Sequence, residues 1–317
     1  MLFDYGFLTS KNIAGKSICV GNISAGGSGK SPHVAYLISL LWKSHQIQVL
    51  SRGYGRKSKG YILLDDASNP SQVGDEPHML YKSFSKKAQF AVCEKRLIGV
   101  QKLRSKSPDS LILLDDAFQH RWVRAGLQLV LTSYQNPFWK DTLLPSGRLR
   151  ESISGLKRAD ALIITKCPDF DSFEPNKILS RLSWLQKPIF FSRYEYHPLK
   201  PLTRAVNEIK TILLVSAIAE PQHLKESLVQ SYKVEEKIFK DHHAYSKRDI
   251  QEIHHFFDNF ADEQTILVTT SKDWTKINLL LSEKDKQRYP WYLLSFDLEW
   301  YDQEAFNNFI GAYVKSD

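Results

Sequence analysis

The chain has 317 residues, 42% hydrophobic and 25% charged, with a formal net charge of +8. The length suits two globular domains, and the mix excludes disordered, collagen-like and repeat architectures. No apolar run approaches the roughly 18 residues of a membrane span, no signal-peptide core opens the chain, and Cys19, Cys93 and Cys167 are too scattered for a disulfide framework or a metal knuckle.

A short apolar run at 17–20 reads as the first strand. It leads into Ser24-Ala25-Gly26-Gly27-Ser28-Gly29-Lys30-Ser31 and a helical stretch at 33–42. Strand, glycine-rich turn and helix together make a phosphate cradle. The glycines let successive N–H groups converge on phosphate oxygens, and the helix start adds partial positive charge. Lys30 is placed to reach terminal phosphates and the Ser31 hydroxyl to help hold Mg²⁺. Ser24 stands where the usual motif has Gly, and a plain strand-to-helix turn is the competing reading. After a strand at 47–50 comes Ser51-Arg52-Gly53-Tyr54-Gly55-Arg56. Its arginines can fork onto phosphate oxygens, although taken alone it reads as a basic surface turn.

Gly74-Asp75-Glu76-Pro77 is an acidic turn: a general base for a hydroxyl substrate, or a helix start with Asp75 as N-cap. Strands at 89–92 and 110–114 follow. The second ends in Asp115-Asp116, the acid position that holds Mg²⁺ in phosphate-loop proteins. Seen alone it is equally a solvated strand end, but loop and acid pair in this order point to a magnesium–nucleoside triphosphate site. A strand at 128–131, a basic group Leu144-Pro145-Ser146-Gly147-Arg148-Leu149-Arg150-Glu151, and a strand at 161–165 complete the first half. Near-continuous apolar strands with room for crossover helices indicate a doubly wound, mostly parallel α/β domain, with ligands beyond the carboxyl ends of its strands.

Between 187 and 204, Pro188, Pro198 and Pro201 punctuate an aromatic, extended connector. A second α/β segment has strands at 211–216 and 265–270 and helices around 222–231 and 246–259. A strand at 291–296 and a helix at 303–314 close the chain. Asp241-His242-His243 lacks a third ligand at sensible spacing for zinc. A histidine that tunes a catalytic carboxylate, or a capping loop, fits better. Thr270-Ser271-Lys272-Asp273 and Thr165-Lys166-Cys167-Pro168 both depart from the guanine-reading pattern of GTPases.

Taken together, these segments resemble the tetraacyldisaccharide 4′-kinase (lipid A 4′-kinase) family of Gram-negative bacteria. The matching pieces run in family order from Val20-Gly21-Asn22 and the glycine loop through Ser51 to Arg56, Gly74 to Pro77, Asp115-Asp116-Ala117-Phe118-Gln119-His120, Arg150-Glu151, Asp241-His242-His243 and Thr270 to Asp273. The resemblance implies transfer of the ATP γ-phosphate to the 4′-hydroxyl of a tetraacylated glucosamine disaccharide 1-phosphate, an anionic lipid. It implies a P-loop NTPase-like α/β/α domain and a smaller α/β/α domain joined by a two-stranded linker: residues 1–190, a linker at 191–204, a second domain at 205–290, and a returning strand and helix at 291–317.

By the same resemblance Asp75 is the catalytic base paired with His242, which suggests that domain closure assembles the pair. Gly26, Gly27, Ser28, Gly29, Lys30 and Ser31 hold the nucleotide, and Ser31, Asp115 and Asp116 the Mg²⁺. Arg52, Arg56, Glu76, Gln119, His120, Arg150, Glu151 and His243 are expected around the active site. A monomer on the cytoplasmic face of the inner membrane, without nucleic acid, is the expected setting. Two departures stand out. Family members usually carry an N-terminal hydrophobic helix, whereas Met1 to Leu8 is too short and polar to span, so either the chain starts at an internal methionine or it docks through basic and aromatic surface features. Ala117 and Ser271 replace the more usual Gly and Glu.

Two rivals remain on the residues alone. A partition- or metallocluster-type ATPase shares the loop but needs a lysine where Ala25 stands. A non-catalytic, nucleotide-dependent membrane scaffold would use the +8 charge on anionic lipid.

Overall fold

The structure, a computed structural model, describes residues 3, 8–241 and 243–316. The chain divides into a larger unit, Met1–Tyr194 with Leu298–Asp317, and a smaller one, Glu195–Asp297. Beside a short two-stranded pair, Lys11–Asn12 with Val123–Arg124, the two main sheets take, in chain order, β1 (Ser17–Asn22), β2 (Ile47–Ser51), β3 (Ile62–Leu63), β4 (Ala88–Val92), β5 (Leu111–Asp115), β6 (Leu127–Ser133), β7 (Ala161–Thr165) and β8 (Ile189–Tyr196). Then come β9 (Lys200–Pro201), β10 (Thr211–Ser216), β11 (Lys233–Ile238), β12 (Thr265–Thr269), β13 (Trp291–Leu293) and β14 (Phe296–Trp300).

The nine-stranded sheet has the order β14-β8-β7-β6-β1-β5-β2-β4-β3. Pairings from β8 to β4 are parallel, and the short β3 is antiparallel to its neighbour. Strand alternation explains the two cores. Ile112 and Leu114 point into one layer with Cys19 and Val130, while Leu111 and Leu113 point into the other with Ile18 and Val20. Both faces are covered, so the strands read as unbroken apolar runs. The doubly wound α/β expectation holds.

Register places the chemistry. Val20 lies opposite Asp115, so the loop leaving β1 and the acid pair leaving β5 emerge side by side at the carboxyl end of the sheet. Gly21 permits their approach: a Cβ there would lie 2.5 Å from the Phe118 Cβ. The helix after the loop, Lys30–Leu41, buries Val34, Leu37, Ile38 and Leu41 against the sheet.

The smaller unit carries a five-stranded sheet of order β9-β13-β12-β10-β11. Its central strands β10 and β12 are buried, whereas edge strand β11 is half-exposed and charged. The single strand expected at 291–296 is in fact two: β13 pairs with β12 and β9, and β14 with β8. Among the described residues no helix is long and apolar enough to cross a membrane.

Candidate active site

Asn22, the last residue of β1, organises the cradle from beneath. Fully buried, it donates to the Ser28 hydroxyl at 2.7 Å and accepts from Arg150 at 2.6 Å, while Gln119 donates to its carbonyl. The loop is also laced to the 148–150 segment: the Ala25 N–H donates to the Arg148 carbonyl at 2.7 Å and the Arg150 N–H to the Ile23 carbonyl at 2.8 Å. At its far end Gly29 is the helix N-cap, in the left-handed region at φ 82°, a conformation that favours glycine.

Lys30 lies 3.6 Å and Arg150 3.5 Å from the Asp116 carboxylate. Burial would raise the Asp116 pKa, but these two cations outweigh it and hold the group below the usual carboxylate range. Asp115 goes the other way. Burial first, then the Glu76 and Asp116 charges, push it up to about 7 against the pull of Lys30 and a 3.0 Å bond from Ser51. Adjacent carboxylates with opposed pKa shifts are a pattern that functional sites and structural ion-pair networks share, which makes this pair a candidate. The second Asp115 oxygen is buried without a hydrogen-bond partner among the described residues, and the Ser31 hydroxyl donates to Glu76 at 2.9 Å. Hydroxyl and carboxylate oxygens with an orphaned buried oxygen suit a hard cation such as Mg²⁺. Among the described residues no cluster of three or more His, Cys, Asp or Glu side chains forms a self-contained metal cage, so nucleotide oxygens would have to complete the coordination.

The remaining expected residues are distributed as follows. Gln119 donates to Glu151 at 3.0 Å, and Glu151 accepts from Arg158 at 2.8 Å. His120 accepts the Arg96 backbone N–H at 3.3 Å. Burial, with Arg96 and Arg52 nearby, lowers its pKa to about 4, so the ring is neutral at pH 7. Arg52 is exposed. Arg56 is turned aside, with its guanidinium on the Gly60 carbonyl at 2.6 Å and on Glu94, where it closes its own loop. That loop packs backbone to backbone on the acidic turn: a Cβ on Gly74 would lie 2.9 Å from the Tyr54 carbonyl. Asp75 is the first residue of helix Asp75–Phe84, and Gly74 takes the N-cap position, which corrects the alternative that made Asp75 the cap.

In the smaller unit His242 lies outside the described residues, but its neighbours are held. Lys272 pairs with Asp241 at 3.1 Å and Lys276 donates to the His243 carbonyl at 3.1 Å. His243 meets Asp249 at 3.2 Å and stacks on Phe239. Asp273, fully buried, accepts from Thr270 at 2.8 Å and from the Ala217 N–H at 3.1 Å. Thr270-Ser271-Lys272-Asp273 thus braces the Asp-His-His loop.

Arg96 and Arg158 also belong to this network, and no motif in the sequence marks either. Arg96 is 1% exposed, donates to the Cys93 carbonyl at 3.0 Å, and lends its charge to both aspartates. A lone arginine opening a helix resembles any surface residue, so no local signal marked it. Asn22 was within reach, because an amide at a strand end just before a glycine loop has few other uses.

Comparison with known proteins bears on this arrangement. A family model described as Tetraacyldisaccharide-1-P 4′-kinase (LpxK) matches residues 1–315. A tetraacyldisaccharide 4′-kinase of Bacteroides thetaiotaomicron is 41% identical over 99% of this chain and 88% of its own length. One of Flavobacterium psychrophilum is 40% identical over 99% and 92%. A crystal structure of LpxK from Aquifex aeolicus in complex with ATP superposes with a TM-score of 0.70 at 28% identity, covering 99% of this chain and 93% of that one. With its cradle, acid pair and two units in place, the chain belongs to the tetraacyldisaccharide-1-phosphate 4′-kinase family.

Proposed function

We propose that this chain binds ATP in the Gly26 to Ser31 cradle and transfers its γ-phosphate to the 4′-hydroxyl of a tetraacyl disaccharide 1-phosphate. The observation that carries the reading is the convergence of the glycine loop, Lys30 and the Asp115-Asp116 pair at one sheet end, with Lys30 3.6 Å from Asp116. Phosphoryl transfer passes through a loose transition state, so positioning and charge neutralisation do most of the catalytic work. Lys30 supplies fixed positive charge. Asn22, Gln119, Arg150 and Glu151 keep the loop, the acid pair and the 150–151 segment in register. Ser31, Asp115 and Asp116 are the residues to hold Mg²⁺, which when bound would neutralise charge on the phosphates.

Asp75 is assigned as general base, accepting the sugar hydroxyl proton. Its place at a helix start beside the arginine-bearing loop supports that role. His242 keeps the part given by the family resemblance. Association with the cytoplasmic face of the inner membrane is supported by the +8 charge and by Trp122, half-exposed beside Arg121 and Arg124.

Purified protein incubated with labelled ATP and tetraacyl disaccharide 1-phosphate in detergent tests the reading. Labelled lipid supports it, while hydrolysis of ATP indifferent to the lipid overturns it in favour of an ATPase. Asp75→Ala is expected to lower kcat by about 10²–10⁴-fold with ATP binding intact, and wild-type turnover in that variant would sink the base assignment.

A further inference from the structure

His33 sits in the first turn of helix Lys30–Leu41 and is 1% exposed. No motif points to it, yet both ring nitrogens are committed. Nδ1 lies 2.7 Å from the Gly29 carbonyl oxygen and Nε2 3.0 Å from the Ser192 hydroxyl on β8. The ring also meets Trp300 of β14 edge to face at 5.4 Å. A carbonyl oxygen can only accept, so Nδ1 must carry the proton. In a neutral ring Nε2 then accepts from Ser192.

The carbonyl held in this way belongs to the peptide between Gly29 and Lys30. In a trans peptide C=O and N–H point in opposite directions. Fixing the Gly29 oxygen toward the helix therefore fixes the Lys30 N–H outward, among the unpaired donors of the helix start that face the cradle. The backbone does this weakly by itself, since the His33 N–H reaches that oxygen at only 3.4 Å. The imidazole supplies the short bond. From the other side a Cβ on Gly29 would lie 2.7 Å from the Tyr194 hydroxyl, so β8 limits movement of the same residue.

We propose that His33 is a positioning residue for the nucleotide: as the Nδ1–H tautomer locked by Ser192, it orients the Gly29–Lys30 peptide so that the Lys30 N–H meets phosphate. The proposal rests on the nucleotide-binding reading of the cradle. Calorimetric titration with Mg-ADP and steady-state kinetics on His33→Phe, His33→Asn and Ser192→Ala test it. His33→Phe keeps an aromatic ring without a donor and should weaken Mg-ADP binding about tenfold, raising the KM for ATP while leaving the KM for the lipid unchanged. His33→Asn places an amide N–H near the Nδ1 position and should stay within about threefold of wild type. Equal affinity in wild type and His33→Phe, or equal weakening in both His33 variants, overturns the proposal.

Long-range ¹⁵N–¹H spectra of the wild-type imidazole supply a readout that does not depend on any variant folding. An Nδ1–H tautomer is expected, shifting toward a mixture in Ser192→Ala. An Nε2–H tautomer in wild type overturns the assignment. Wild-type protein that binds no Mg-ADP would instead sink the nucleotide reading itself.

Discussion

Replacing Arg150 by methionine keeps the aliphatic stem and removes the cation that ties the cradle together. Three contacts go: the 2.6 Å bond to Asn22, the 3.5 Å approach to Asp116 and a 3.3 Å bond to the Ser24 carbonyl. Asn22 is fully buried, so losing a charge-assisted partner and leaving its oxygen unpaired costs about 1–3 kcal/mol. The half-exposed Asp116 contact adds no more than about 0.5 kcal/mol. A total near 2 kcal/mol should lower the melting temperature of a unit this size by about 4–8 °C. Because Asn22 also donates to Ser28, ATP affinity should fall with stability. Asp116 loses one of the two cations that hold its pKa down, so the acid limb of the pH–kcat/KM profile should move to higher pH. Arg150→Lys should restore the acid limb but not the melting temperature, since a lysine brings charge without the fork. Thermal unfolding, calorimetric ATP titration and a pH–rate series measure all three. Arg150→Met melting within about 1 °C of wild type with unchanged ATP affinity would refute the strut.

The pH dependence of stability has a definite sign. His33, His120 and His254 are each lowered by burial to about 4. The unfolded chain therefore binds protons that the native state refuses, and each histidine should remove about 1.4 kcal/mol per pH unit as pH falls from about 6.5 toward 4. Asp115, raised to about 7, acts oppositely, its native proton stabilising at low pH and being lost as pH rises toward 7. In denaturant titrations His254→Phe should flatten the acid decline and Asp115→Asn should steepen it; parallel profiles for both would contradict these shifts. Lys276→Met frees the His243 carbonyl and should lower kcat about fivefold with the KM for ATP unchanged, as expected for a bond near 1 kcal/mol that positions a loop. An altered KM for ATP with normal kcat would place that lysine elsewhere. Gly53→Ala meets φ 71° and a Cβ 2.9 Å from the Val73 carbonyl, whereas Gly55→Ala at φ 74° meets nothing within 4 Å. Both carry left-handed strain of about 1–2 kcal/mol, but only Gly53→Ala should also depress kcat by shifting the loop against Asp75. Equal kinetics in the two variants would show that the contact is dispensable.

The parallel core was legible because Leu111 to Leu114 and 161–165 are unbroken apolar runs, which only strands buried on both faces require. The cradle was legible because glycines, a lysine and a strand-end acid pair obey fixed local spacing. β11 escaped, since Lys233-Val234-Glu235-Glu236-Lys237-Ile238 is an edge strand whose charges face water and pair with helix residues such as Lys225. Arg96 and His33 escaped for a different reason. Each also depends on a group distant in sequence, the aspartate pair for Arg96 and Ser192 for His33, and burial of a polar side chain has no signature in its immediate neighbours.

The larger unit takes both ends of the chain, and this imposes a delay during synthesis. The end of β14, from Leu298, and helix Gln303–Lys315 belong to it, yet they leave the ribosome only after the roughly hundred residues of the smaller unit. At about 5–20 residues per second that interval is ~5–20 s. Throughout it the rings of His33, Tyr36 and Phe190 that Trp300 and Phe306 will meet stand bare. Nascent chains are therefore most open to chaperone capture after the nucleotide cradle has been translated and before its outer layer closes, and slow codons within the insert would widen that window.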